Sequence, residues 1–132
     1  MSTAVLLLAE DETLLIPNLE DALTDAGYAI VIAHDGSPAI TVLEQDATRF
    51  RGLITDVRMG PGPTGWEVAH RARELAPTLP DVYMTGDSAA SWAANGVPNS
   101  VLLQKPFAMA QMVIAISQLI NQAVAMPTGE VE

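Results

Sequence analysis

The chain has 132 residues, 49% hydrophobic and 17% charged, with sixteen acids against six bases and a formal net charge of -10. That is one domain's worth of sequence, since domains commonly run to ~100–150 residues, and a core of this size needs no disulfide or metal staple. The anionic surface repels phosphodiester backbones and anionic lipid, the absence of cysteine removes disulfides, thiolate zinc sites and thiol catalysis, and no apolar run approaches the ~20 residues of a membrane span.

Ala4–Ala9 is a short apolar run with no basic residue ahead of it, and Glu10 and Asp11 end it at once. It reads as a buried strand and not as a signal peptide, so a cytoplasmic location is expected. Leu15, Leu19, Ala22, Leu23 and Ala26 then share a helical face, Gly27 stops that helix, and Pro17 fits only in its first turn. Ala29–Ala33 is a second strand, and Asp35 is placed to cap a helix carrying Ala39, Ile40 and Leu43. Leu53–Thr55 is a third strand, followed by Asp56. Val68, Ala69, Ala72, Leu75 and Ala76 form a helical face closed by Pro77. Val82–Met84 is a fourth strand, followed by Thr85 and Gly86. Ser88–Ala94 is a short helix candidate before the Asn95-Gly96 turn. Val101–Leu103 is a fifth strand, followed by Gln104, Lys105 and Pro106. Met109, Met112, Val113, Ile116, Leu119 and Ile120 form the last helical face. Residues 125–132, with Pro127 and Gly129, read as a frayed tail, which leaves 1–124 as the domain.

Five short strands alternating with five helices imply an α/β fold with a parallel sheet. In such sheets ligands bind outside the carboxyl ends of the strands. The residues expected there are Glu10, Asp11, Asp56, Thr85 and Lys105, the last being the only lysine in the chain. Three carboxylates crowded together would repel each other and take up protons, and a dication removes that problem. Few hard oxygen donors suit Mg2+. With the cation present Asp56 stays ionised and can attack phosphorus, while Mg2+, Lys105 and the Thr85 hydroxyl each meet one phosphoryl oxygen.

The segments LLLAEDE, LITDVRM, GWEVAHRAREL, VYMTGDS and LLQKPF, in this order, resemble the receiver domain of two-component response regulators over essentially the whole chain. The resemblance implies a flavodoxin-like (βα)5 three-layer sandwich with a five-stranded parallel sheet in the order 2-1-3-4-5. It implies that Asp56 is the phosphoacceptor and that Asp11 binds Mg2+ directly and Glu10 through water. The main-chain carbonyl of Arg58 would be a further metal ligand. Thr85 would be the switch hydroxyl, and Lys105, before a cis peptide to Pro106, the phosphoryl contact. The implied partners are a histidine kinase or histidine phosphotransfer protein as donor and an unknown downstream protein. No nucleic acid or membrane partner is expected, and the protein is expected as a monomer or weak homodimer. A stand-alone receiver without an output domain is expected. A receiver fragment of a hybrid histidine kinase and an unphosphorylated scaffold are the alternatives.

Three departures from the family pattern stand out. Leu102 occupies the place of the usual switch aromatic on the fifth strand. The loop Met59-Gly60-Pro61-Gly62-Pro63-Thr64-Gly65 is richer in glycine and proline and one residue longer. Arg58 and Asp87 flank the route by which water would reach the phosphoryl group. A flavin or nucleotide module would need a phosphate-cradling loop where Glu10-Asp11-Glu12 stands. An aspartate-nucleophile phosphatase would need a second aspartate where Arg58 stands. His34 and His70 read as surface residues, Trp66 as packing, Met109 and Met112 as core, and Trp92 as either packing or an interface anchor.

Overall fold

The computed structural model describes residues 3–125. The elements are β1 (Val5–Ala9), α1 (Leu15–Asp25), β2 (Ala29–Ala33), α2 (Gly36–Asp46), β3 (Phe50–Asp56), α3 (Gly65–Leu75), β4 (Asp81–Thr85), α4 (Trp92–Asn95), β5 (Ser100–Gln104) and α5 (Met109–Ala125). The five strands form one parallel sheet in the order β2-β1-β3-β4-β5, as expected. Alternate strand residues serve two cores. Leu7, Leu53 and Tyr83 face Ala39, Leu43, Val68 and Ala72 of α2 and α3. Leu6, Leu8, Ile54, Val82 and Met84 face Leu19 and Leu23 of α1 and Met112 and Ile116 of α5. Of the expected tail over 125–132, Ala125 ends α5 and the remainder lies outside the described residues.

Local chemistry sets the helix ends. Pro17 sits in the first turn of α1, where its missing N–H costs no intrahelical bond. Gly27 takes φ 101°, its N–H meets the Thr24 carbonyl and the Tyr28 N–H meets the Leu23 carbonyl, which together close a Schellman motif. Asp35 caps α2 by accepting from the Ser37 N–H at 2.9 Å. Helix α3 begins three residues before its first fully apolar position because Thr64 and Glu67 form a capping box. By contrast, α4 is a single turn, preceded by a 3-10 turn over Ala89–Ser91, and none of its residues is buried.

The strands run further than their apolar cores. Asp56, Thr85 and Gln104 are the last residues of β3, β4 and β5, because the ladder needs only main-chain groups. The strand order reverses between β1 and β3, so the carboxyl ends of these strands border one crevice.

Candidate functional site

Main-chain hydrogen bonds fix the residues that border this crevice. The Glu10 N–H donates to Ala33, the Val57 N–H to Met84 and the Lys105 N–H to Thr85, all at carbonyl oxygens 2.8–3.0 Å away. Glu10, Asp11 and Asp56 each offer an oxygen, and these atoms lie within 4.8 Å of one another. Glu10 and Asp56 are buried and Asp11 is exposed. The Glu10 Oε2 accepts from the Asp11 and Glu12 N–H groups at 3.0 Å, and the Asp56 Oδ1 accepts from the Val57 N–H at 2.9 Å. The Lys105 ammonium reaches across from β5. Its Nζ lies 3.1 Å from the Asp56 Oδ2 and 3.4 Å from both the Glu10 Oε1 and the Glu12 Oε1. The Lys105–Pro106 peptide is cis.

The charge balance of this cluster favours a cation. Burial, with the Asp56 charge beside it, pushes the Glu10 carboxyl up to about 7 against the weaker pull of the Glu12 amide and Lys105. Burial opposes the charge on Lys105, but the Asp56 hydrogen bond and the charges of Asp56, Glu10 and Glu12 outweigh it and raise the ammonium above its ordinary value. One lysine therefore does not neutralise the carboxylates around it. Three hard oxygen donors, one exposed and two lining the crevice floor, suit a small dication such as Mg2+.

Thr85 is buried at the end of β4, and its hydroxyl accepts from the Ser88 N–H at 2.8 Å and the Asp87 N–H at 3.2 Å. It holds the turn after β4 and makes no hydrogen bond to Asp56. Above the crevice the Arg58 Nε lies 3.2 Å from the Asp87 Oδ2, and the Ser88 hydroxyl donates to the Asp87 Oδ1 at 2.8 Å. This bridge joins the loops after β3 and β4.

Several contributors were not singled out from sequence. Glu12 reads as one more acid after β1, and only the position of β5 shows that Lys105 reaches it. Ser88 reads as the start of a helix. Asp81, at the other end of β4, is buried with neither carboxylate oxygen hydrogen-bonded. Of the side chains expected to pack or to lie at the surface, Met109 is only partly buried against the core. Trp66 packs against Tyr83 with ring centroids 4.6 Å apart, Met112 is core, and His70 is exposed with its Nε2 2.8 Å from the Asn95 carbonyl oxygen.

The long loop after Asp56 returns tightly to the crevice. The Gly65 N–H donates to the Val57 carbonyl at 2.7 Å, and a Cβ at Gly65 would collide with the Asp56 carbonyl group and the Val57 Cα. All these atoms are main chain and cannot step aside. Gly65→Ala is therefore expected to cost about 1–3 kcal/mol of stability and to displace Asp56. A denaturant melt with an unchanged midpoint would show that the contact relaxes freely.

Residues 6–117 match the family described as the response regulator receiver domain. Among curated proteins, the response regulator receiver protein CpdR of Brucella abortus is 32% identical over 120 residues, covering 89% of this chain and 98% of that protein. The transcriptional regulatory protein TctD of Salmonella typhimurium is also 32% identical over 120 residues and 89% of this chain, which spans about half of TctD (52%). Among solved structures, a response regulator receiver protein from Sinorhizobium medicae superimposes with a TM-score of 0.89 at 43% identity, over 92% of this chain and 98% of that one. The receiver domain of the hybrid histidine kinase CckA gives 0.75 at 26% identity, over 89% and 99%.

Proposed function

The chain belongs to the response regulator receiver family, and on that premise we propose that Asp56 accepts a phosphoryl group in a His-to-Asp relay and that the change is passed on by protein–protein contact. The observation that carries this reading is the Asp56 carboxylate itself, buried at the end of β3 between a carboxylate pair and the Lys105 ammonium. The Val57 N–H holds the Asp56 Oδ1 and so fixes the plane of the carboxylate. One Asp56 oxygen attacks phosphorus; a P–O bond forms as the donor's P–N bond breaks, and the donor imidazole leaves with its electron pair. Lys105 follows the negative charge as it moves from the carboxylate to a phosphoryl oxygen. The Thr85 hydroxyl is two strand ends away from Glu10 and is free to donate its proton to another oxygen, because both of its present hydrogen bonds are accepted. Glu10, Asp11, Asp56 and the Arg58 carbonyl would hold Mg2+, which when bound supplies the positive charge that keeps the carboxylates ionised and offsets charge on the transferred group.

The donor in this reading is a histidine kinase or a histidine phosphotransfer protein. The chain works in the cytoplasm as a monomer or weak homodimer, with a downstream protein and not nucleic acid as its target. Among the described residues no helix is long and apolar enough to cross a membrane. A receiver carried on a hybrid kinase would use the same chemistry, and the Asp56–Lys105 contact argues against an unphosphorylated scaffold.

Calorimetric Mg2+ titration tests the metal half of this reading. Asp11 contributes the exposed ligand and its loss disturbs the buried pair least. Asp11→Ala is expected to weaken Mg2+ binding at least by the roughly tenfold that the loss of even an outer-shell partner costs. An unchanged affinity would place the cation elsewhere.

A further inference from the structure

The glycine- and proline-rich loop after β3 is held differently in its two halves. In the near half, Val57 and Met59 are buried in the core. In the far half, Pro61 and Gly62 are exposed, and the chain leans on the start of α2. Gly36 is the first residue of α2 and is buried. A Cβ at Gly36 would collide with the Pro63 carbonyl oxygen and come within 3.0 Å of the Pro63 Cβ. A Cβ at Gly62 would lie 3.3 Å from the Ser37 Oγ, so loop and helix run side by side here. Asp35 accepts from the Ser37 N–H and fixes that first turn of α2. Two residues beyond Pro63, Gly65 lies against the Asp56 carbonyl and the Val57 Cα. The Val57 N–H in turn holds the Asp56 Oδ1. Two close main-chain approaches, each open only to glycine, therefore stand in series between α2 and the Asp56 carboxylate.

We propose that Gly36 is a positioning residue for the Asp56 site: the start of α2 is the backstop against which the loop sets the main chain of Asp56, Val57 and Arg58. This rests on the reading of Glu10, Asp11, Asp56 and the Arg58 carbonyl as a Mg2+ site. Helix α2 supplies none of those ligands, so its effect on them passes through the loop. The ring of Pro63 fixes φ and leaves fewer main-chain rotations to absorb a push from Gly36. Thr64 is pinned as well. Its hydroxyl accepts from the Glu67 N–H, and its own N–H donates to the Glu67 carboxylate at 2.8 Å. A push at Pro63 therefore reaches Gly65, whose neighbours are main-chain atoms that cannot step aside. The resulting shift of Val57 turns the Asp56 carboxylate through their hydrogen bond and carries the Arg58 carbonyl with it.

The test is a calorimetric Mg2+ titration of Gly36→Ala, Pro63→Gly and the double variant, with the Val57 and Gly65 amide NMR signals recorded before metal is added. Gly36→Ala is expected to raise the Mg2+ Kd by about tenfold, a usual loss when a group supporting a metal ligand is disturbed. It is also expected to move both amide signals in the metal-free protein. Pro63→Gly frees the loop to yield and is expected to weaken Mg2+ by less. The double variant is expected to bind no worse than Pro63→Gly alone, because the freed residue absorbs the added Cβ. A merely structural role for Gly36 would lower Tm and leave the Mg2+ affinity unchanged, and that result would overturn the inference. Losses that multiply in the double variant would overturn it too, since the two residues would then act independently. If Gly36→Ala does not fold, Pro63→Gly decides alone, and an affinity equal to that of the wild type overturns the inference. If the wild type itself binds no Mg2+, the metal reading fails and this inference with it.

Discussion

Asp81→Val is expected to raise the stability of the protein by about 2–4 kcal/mol at pH 8, a gain of roughly 10 °C in Tm for a domain of this size. Asp81 opens β4 in a fully buried position, and neither of its oxygens has a hydrogen-bond partner. Burial pushes its carboxyl from 3.8 to about 7, while the neighbouring Tyr83 hydroxyl and Arg73 guanidinium oppose the shift only weakly. The same burial, with the Asp81 charge below it, raises the Tyr83 phenol as well.

The sign follows from proton linkage. Below about pH 4 the carboxyl is protonated in both folded and unfolded chains and costs nothing by ionisation. Between about pH 4 and 7 the unfolded chain gives up this proton and the folded chain keeps it, so stability falls as pH rises. Above about 7 the penalty is constant. Valine removes the buried charge and suits a strand. Asp81→Asn removes the titration but leaves an unpartnered amide, so it should gain less while flattening the pH dependence to a similar degree. Glu10 is raised into the same window, so some slope remains in either variant. Denaturant melts from pH 4 to 8 check this. An Asp81→Val variant no more stable than wild type at pH 8, with an unchanged slope, would mean that Asp81 finds partners the structure does not give it.

Lys105→Ala is expected to slow phosphoryl uptake from acetyl phosphate by about 10²–10³, the usual cost of losing one preorganised group at a developing charge. The ammonium is held by three carboxylates and its side chain is 21% exposed, so it is already in place before the donor arrives. Truncation removes the only side-chain cation that contacts Asp56 among the described residues. Lys105→Arg should recover part of the rate, since the charge returns on a larger planar group that does not fit the same point contact. Stopped reactions analysed by intact mass give the rates. An alanine variant as fast as wild type would mean that Lys105 serves only the resting carboxylates.

Much of this protein could be read before its structure. Buried parallel strands are nearly continuous apolar runs, so all five were visible, and their polar ends pointed to one edge of the sheet. The same habit placed Asp56 and Thr85 just beyond their strands, because an apolar pattern stops where the side chains turn polar and the ladder does not. The start of α3 was written in Thr64 and Glu67, but as a capping box and not as periodicity. Asp81 was hidden for a different reason. An acid at the head of an apolar run looks like a boundary residue, and only the packing of the chain around β4 shows it to be buried. Glu12 and Tyr83 depend on contacts from β5 and from the segment after α4, which no local pattern reports. The absence of an aromatic at Leu102 was legible; that a buried tyrosine lies in register with it was not.

In the proposed function Asp56 takes a covalent phosphoryl group with the help of a divalent cation. The most direct measurement is the intact mass of the protein after incubation with acetyl phosphate, with and without Mg2+, for wild type and Asp56→Asn. One added phosphoryl group is expected on the wild type with Mg2+, none without it, and none on Asp56→Asn under either condition. An adduct that forms equally well without Mg2+, or that persists on Asp56→Asn, would contradict it.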